Sequence, residues 1–228
     1  MNSQFKNTCI LYFTTQLESE KLFSSHKRKQ KAVQKVLFEK TLGEIQQSGL
    51  AYVISDGKTY GQSFGERIKG AAEGIFQLGY ENLIIVGDDT PHLSAINLLQ
   101  AQKNLEAKIL TLGPSSDGGS YLISVSKDSF HKGILENLEW QSHLFHEQLI
   151  SNFELFGAHY QLLQTFIDLD NEIAINIYLN QPHHSTIQKI LSNILSEEIE
   201  FTTDFLTEDR GLIIQNTDRG PPLVIQSS

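Results

Sequence analysis

Ile84-Ile85-Val86-Gly87-Asp88-Asp89-Thr90-Pro91-His92-Leu93 is an apolar run that ends in a glycine and two carboxylates, after which a proline opens a helical pattern. A strand that delivers acids at its C-terminal tip, where the chain turns, marks the ligand edge of an open α/β sheet. Adjacent carboxylates in such a place are costly unless a cation, a hydrogen-bond network or water compensates them. One unit further on, Leu112-Gly113-Pro114-Ser115-Ser116-Asp117-Gly118-Gly119-Ser120-Tyr121 forms a second turn with an acid and two glycines. Together the two turns point to a site that handles a metal and a phosphate.

Working outward, short β-rich runs alternate with helical stretches. Residues 9–15, 51–56, 83–87, 108–112 and 121–125 read as strands. Residues 28–47, 63–78 and 92–105 carry apolar side chains at three- and four-residue spacing and read as helices. Such an order predicts a Rossmann-like, three-layer α/β sandwich with a mostly parallel sheet and right-handed crossovers. Residues 134–164 look helical throughout, 165–170 is a short apolar run ending in acids, and 171–179 reads as a helix. Gln181-Pro182 breaks the pattern, 184–196 suits one more amphipathic helix, and residues 217–222 are turn-rich. The expected organisation is one domain over 1–180 with a C-terminal extension over 181–228, a candidate surface for a homodimer or another partner.

The 228 residues are enough for one well-buried α/β domain, and a composition of 39% hydrophobic and 20% charged residues is ordinary for a globular chain. The net charge of −9 is uneven: residues 1–40 hold 8 Lys/Arg against 3 Glu, leaving 10 basic against 24 acidic residues elsewhere. An acidic body argues against nucleic-acid binding. No apolar stretch is long enough to span a membrane and the start lacks a signal-peptide core, so a cytoplasmic location is expected. His26-Lys27-Arg28-Lys29-Gln30-Lys31 reads as the solvated face of a helix, with a phosphate contact as the alternative. Cys9 is the only cysteine, forms no internal disulfide and is expected to be buried and inert.

Each acid has two readings. Asp89 suits Mg²⁺ or Mn²⁺, hard cations that keep several waters and bridge substrate phosphates. Asp88 either shares that metal or caps the helix that starts near Pro91. Asp168 and Asp170 either complete the metal site from a distant strand or cap the helix from Asn171. Asp117-Gly118-Gly119 can bring backbone amides close to a ligand, although a tight hairpin asks for the same residues. In Gly61-Gln62-Ser63-Phe64-Gly65-Glu66-Arg67, Gln62 suits a base or sugar edge and Arg67 a phosphate or a structural ion pair. His143, His146, His183 and His184 lack the accompanying pattern of a zinc site.

The order Gly61-Gln62 … Gly65-Glu66-Arg67, Gly87-Asp88-Asp89-Thr90-Pro91-His92-Leu93 and Leu112-Gly113-Pro114 … Asp117-Gly118-Gly119 … Leu122 resembles the uncharacterised TarI-like bacterial proteins. Those are glycosyltransferase-A-like nucleotide-diphospho-sugar transferases. Trp140 and Ile167-Asp168-Leu169-Asp170 extend the likeness, which covers about residues 8–180. The resemblance implies a nucleotide bound at the C-terminal edge of the sheet. Asp89 matches the metal-binding acid of the family's glycine–x–aspartate–x–proline motif, and Asp117, Gly118 and Gly119 match its aspartate–glycine–glycine turn.

Two departures stand out. The family's first strand runs into a loop with a lysine, a proline, a glycine and a valine–lysine–threonine–arginine run. Here Phe13-Thr14-Thr15-Gln16-Leu17-Glu18-Ser19-Glu20-Lys21-Leu22-Phe23 has neither glycine nor proline and carries two glutamates; Lys21 is a candidate to replace one cation, with Lys27 to Lys31 as candidates for others. Ser120 stands where the family favours an aromatic residue. The expected function is a Mg²⁺-dependent nucleotidyl- or glycosyltransferase, with Asp89 and Asp117 catalytic. Its ligands would be a nucleotide or nucleotide-sugar and a small-molecule acceptor. The competing reading is a catalytically degraded member that binds a nucleotide, a sugar or a protein.

Overall fold

The computed structural model describes residues 7–14, 27–182, 185–196, 212–215 and 223–225. Its frame is set by strands β1 (Thr8–Phe13), β2 (Ala51–Ser55) and β3 (Asn82–Val86). All six residues of β1 are buried, which fits a central strand covered on both faces. β1 pairs in parallel with β2 on one side and with β3 on the other. Helices α1 (Lys27–Ser48) and α2 (Phe64–Gln77) make the crossovers. Helix α3 (Ala95–Glu106) follows β3 and leads to β4 (Leu110–Pro114).

β5 (Ser120–Ser126) corrects the expected parallel order. It runs antiparallel to both β3 and β4, forms a hairpin with β4 and lies between β4 and β3. An apolar run has no direction of its own; the tight turn at 115–119 sets it. The stretch 134–164 is also not one helix. A short helix α4 (Lys127–His131) precedes it, α5 is confined to Phe145–Leu155, and Tyr160–Leu162 forms β6, parallel to β4.

Helices α6 (Glu172–Leu179) and α7 (Thr186–Ser196) follow, and β7 (Leu212–Gln215) and β8 (Leu223–Ile225) extend the sheet beyond β2. The sheet order is β6-β4-β5-β3-β1-β2-β7-β8. Among the described strands only β5 and β7 oppose the common direction, so the sheet is mixed and mostly co-directional, as expected of a Rossmann-like α/β fold.

A main core of β1–β5 residues with α2, α3 and α5 fills the sheet's faces. A second cluster forms where Val33 and Leu37 of α1 meet Leu169, Ile175, Tyr178, Leu191 and Ile194, so α6 and α7 close over α1. Lys29 Nζ donates to the Leu195 carbonyl at 2.7 Å across this contact, while Lys27, Arg28 and Lys31 are exposed, as on a solvated helix face. Cys9 is fully buried, and burial pushes its thiol far above its ordinary value, so it stays protonated and inert. Among the described residues no helix is long and apolar enough to cross a membrane. Lys21, His183, His184 and the 217–222 turn lie outside the described residues.

Candidate functional site

The tips of β1 and β3, the β4–β5 turn and the 140–145 and 168–170 segments enclose a pocket of about 400 Å³ at the C-terminal edge of the central strands. Five carboxylates line it: Asp88, Asp89, Asp117, Asp168 and Asp170. Among the described residues, no lysine or arginine joins them.

Asp88 and Asp89 follow β3 directly, and neither caps a helix. The next helix begins at Ala95, and Ser94 caps it, its hydroxyl accepting from the Asn97 amide at 3.4 Å. Pro91 and His92 form a turn instead of a first helical turn, which overturns the cap reading for Asp88. Asp88 instead accepts a hydrogen bond from the Thr14 hydroxyl at the tip of β1.

Asp168 reaches the site through backbone lacing that spans distant parts of the chain. The Phe166 amide donates to the Pro114 carbonyl at 3.1 Å, the Ser116 amide to the Phe166 carbonyl at 2.9 Å, and the Leu169 amide to the Asp89 carbonyl at 2.8 Å. Residues 165–170 are therefore not a strand end; Phe166 makes a single bridge with Ser115 and the rest is irregular. Leu169 is fully buried in the α1–α6–α7 cluster, and its neighbours Asp168 and Asp170 both line the pocket. Asn171, not either aspartate, caps α6 by accepting from the Ala174 amide at 3.0 Å.

The carboxyl of Asp168 is held well above the usual carboxylate range. Burial is the main cause, followed by the nearby charge of Asp89; hydroxyl bonds from Thr90 and Ser115 pull the other way, and Asp117 adds a smaller push upward. These carboxylates thus feel one another inside a single enclosure. No group of three His, Cys, Asp or Glu side chains among the described residues converges as a ready-made metal cage.

Asp117 differs. It is exposed, and its Oδ1 accepts from the Ser115 hydroxyl at 2.6 Å and from the Gly119 amide at 2.9 Å. The Gly118 amide donates to the Ser115 carbonyl at 3.2 Å, so both glycine amides close the turn itself. Gly118 has φ of 92°, and a Cβ there would lie 1.9 Å from the His143 carbonyl oxygen. The His146 amide donates to the Gly118 carbonyl at 3.1 Å, with the His146 ring Nδ1 3.0 Å from the same oxygen. His143 precedes α5 and lines the pocket.

Gln62 and Arg67 are not in the pocket lining. Their stretch builds the start of α2: Ser63 Oγ accepts from the Glu66 amide at 3.3 Å, and Glu66 Oε2 accepts from the Gln62 and Ser63 amides at 3.0 Å each. Those bonds, first from Ser63, hold the Glu66 carboxyl below its ordinary range. Arg67 Nε donates to the Gly61 carbonyl at 3.3 Å.

The residue-by-residue reading passed over the pocket's aromatic wall of Phe13, Phe64, Trp140 and Phe145. Gly65 was its one usable signal, since a Cβ there would meet the Trp140 indole at 2.5 Å.

A mostly co-directional sheet flanked by helices, with an inserted antiparallel strand and an acid-lined pocket at its C-terminal edge, defines an α/β protein of the Rossmann-like class. A solved protein from Desulfovibrio desulfuricans G20, provisionally named a nucleotide-diphospho-sugar transferase, shares this fold. The two superpose with a TM-score of 0.68 at 20% identity, over 82% of this chain and 94% of that one. The chain belongs to the family described as uncharacterized protein conserved in bacteria (DUF2064), which matches residues 15–142. Membership is thus in a distant, uncharacterised bacterial family, not in the TarI-like proteins specifically.

Two further structures align more loosely. Rv0371c from Mycobacterium tuberculosis H37Rv gives a TM-score of 0.47 at 10% identity, over 79% of this chain and 100% of that one. The 4-diphosphocytidyl-2C-methyl-D-erythritol synthase of Anaerococcus prevotii DSM 20548 gives 0.46 at 12%, over 77% and 99%. No curated protein matches the chain.

Proposed function

We propose that this protein is a divalent-cation-dependent transferase acting on a nucleoside triphosphate or a nucleotide-diphospho-sugar and a small-molecule acceptor. The observation that carries this reading is the five-carboxylate lining of one pocket at the ligand edge of the sheet. An anionic phosphate enters such a field only with a cation that inverts it.

The residues fit such an ion. The donors are oxygens, the choice of Mg²⁺ and Mn²⁺, and Mg²⁺ is commonly held by one or two carboxylates plus water and substrate phosphates, so a three-carboxylate cage is not required. Asp89 and Asp168, which feel each other's charge, would hold it, with Asp88 and Asp170 at the margin. When bound, the cation neutralises phosphate charge and stabilises the departing group.

The chain's own contribution is positioning. Leu169 anchors the Asp168–Asp170 segment, and the Leu169–Asp89 backbone bond ties that segment to the tip of β3. Asp117 holds the β4–β5 turn and adds its charge to the pocket. Gln62 and Arg67 are assigned to the outer reach of the nucleotide, and Lys21 to a phosphate contact. Residues 181–228 are assigned to an extension with a homodimer or partner surface, and a cytoplasmic setting suits the substrates.

A thermal-shift panel tests the reading, because a ligand that binds only the native state raises Tm. Nucleoside triphosphates and nucleotide-sugars are expected to raise Tm with Mg²⁺ present and not without it. No shift with any of them at millimolar concentration contradicts the proposal. The altered 13–23 loop favours a second reading, a non-catalytic binder. In that case Asp89→Asn leaves ligand binding unchanged and independent of metal.

A further inference from the structure

Helix α1 carries two lysine–glutamate pairs at the same spacing, in different surroundings. Lys35 and Glu39 lie 3.7 Å apart with side chains 64% and 61% exposed, an ordinary surface pair. Lys40 and Glu44 lie 3.4 Å apart with side chains only 13% and 25% exposed. Burial pulls the Lys40 ammonium below its ordinary value, and Glu44 offsets only part of that. Apolar residues in such a place are commonly as stable as an ion pair, or more so. The second pair therefore calls for a reason other than stability.

Its remaining bonds supply one. Lys40 Nζ also donates to the Leu93 carbonyl, and Glu44 Oε2 accepts from the Ala95 amide at 2.8 Å. The pair thus grips the backbone on both sides of Ser94, where the turn that follows β3 enters α3. From that grip a chain of bonds runs to the pocket. The Leu93 amide donates to the Thr90 carbonyl at 3.2 Å, and the Thr90 hydroxyl donates to Asp168. One residue before Thr90, the Asp89 carbonyl accepts from the Leu169 amide. Leu93 and Thr90 are both buried, so a shift at one is passed to the other by packed contact. Neither Lys40 nor Glu44 lines the pocket.

We infer that Lys40 and Glu44 are positioning residues: from behind the 87–94 turn they hold Asp89, and through Thr90 also Asp168, in the arrangement that captures a divalent cation. They touch neither cation nor substrate. The inference rests on the cation-dependent transferase reading and names what keeps its carboxylates in place. Groups that orient metal ligands from behind typically govern about 10–100-fold in affinity.

The test titrates Mn²⁺ alone into the full chain and reads the free ion by electron paramagnetic resonance. Lys40→Met/Glu44→Leu removes one charge of each sign and leaves no buried charge unpaired, so net charge is unchanged and the fold is expected to survive. Its Mn²⁺ affinity is expected to fall about tenfold. Glu44→Gln, which keeps an oxygen for the Ala95 amide, is expected to hold near wild-type affinity. Lys35→Met/Glu39→Leu makes the same exchange on the surface of the same helix and should leave affinity unchanged. Ile45→Val trims a fully buried side chain next to Glu44; it should lower Tm and leave affinity intact.

Unchanged or tighter Mn²⁺ binding in Lys40→Met/Glu44→Leu overturns the assignment, as does an equal loss in Ile45→Val or in the surface-pair variant. Such a result with wild-type uptake intact leaves the transferase reading standing. Wild type that takes up no Mn²⁺ overturns the cation of that reading, and this inference with it.

Discussion

The two acid-and-glycine turns, 87–93 and 115–119, look alike in sequence and behave differently in the fold. In the second, Asp117 folds back on its own turn, and the Ser115 hydroxyl and Gly119 amide satisfy one of its oxygens. In the first, Asp89 faces a like charge carried in by Asp168 from far along the chain. One turn is complete by itself. The other concentrates negative charge in one partly buried pocket, the condition that a bound cation relieves. An acid beside glycine is therefore a weak signal; where its oxygens point decides its role.

The comparison can be broken most severely at Gly118. A Cβ there meets the His143 carbonyl, and φ is positive, so Gly118→Ala is expected to cost about 4 kcal/mol or prevent folding, as read by chemical denaturation. Next comes Leu169→Ala, which empties a fully buried site and is expected to cost about 3 kcal/mol. It should also loosen the Asp168–Asp170 segment and weaken Mg²⁺-dependent ligand binding beyond what the stability loss explains.

Asp168 supplies a pH test. Its folded value is raised, so the folded protein binds the proton more tightly than the unfolded chain. The associated stability is fully present below the ordinary carboxylate value and is lost as pH rises through the raised one. Wild-type Tm should therefore fall relative to Asp168→Asn across that window. Parallel Tm curves for the two proteins would contradict the raised value. The smallest effect is expected from Ser115→Ala, which removes the hydroxyl that serves Asp117 and Asp168 and should cost about 1 kcal/mol, as read by chemical denaturation.

Much of the frame was legible because strands and helices carry their own periodicity. The apolar runs near 9, 51, 83, 110 and 121 are strands, and the three long helices begin and end within a few residues of the positions their periodicity predicts. What escaped depends on partners distant in sequence. The direction of β5 is set by a turn, and Tyr160–Leu162 is a three-residue edge strand with too few residues for a pattern. The 165–170 segment looked like a strand end because Phe166, Ile167 and Leu169 are apolar. Only the backbone bonds to Pro114 and Asp89 make it a lacing segment.

At the site, all five acids singled out from sequence line one pocket, whereas Gln62 and Arg67 build a helix start and the aromatic wall went unread. Aromatic residues in an α/β chain ordinarily mean core. Nothing local in Phe13, Phe64 and Trp140 shows that they share a wall.

The most direct test of the central claim is calorimetric titration of Mn²⁺, with a nucleoside triphosphate or nucleotide-sugar present, into wild type, Asp89→Asn and Asp117→Asn. Asparagine at 117 keeps the oxygen that the turn uses, while asparagine at 89 removes the charge that the cation needs. The account predicts cation binding to wild type, a loss of at least about tenfold in affinity in Asp89→Asn with Tm unchanged or raised, and near wild-type affinity in Asp117→Asn. Equal losses in the two variants, or no loss in Asp89→Asn, would contradict it.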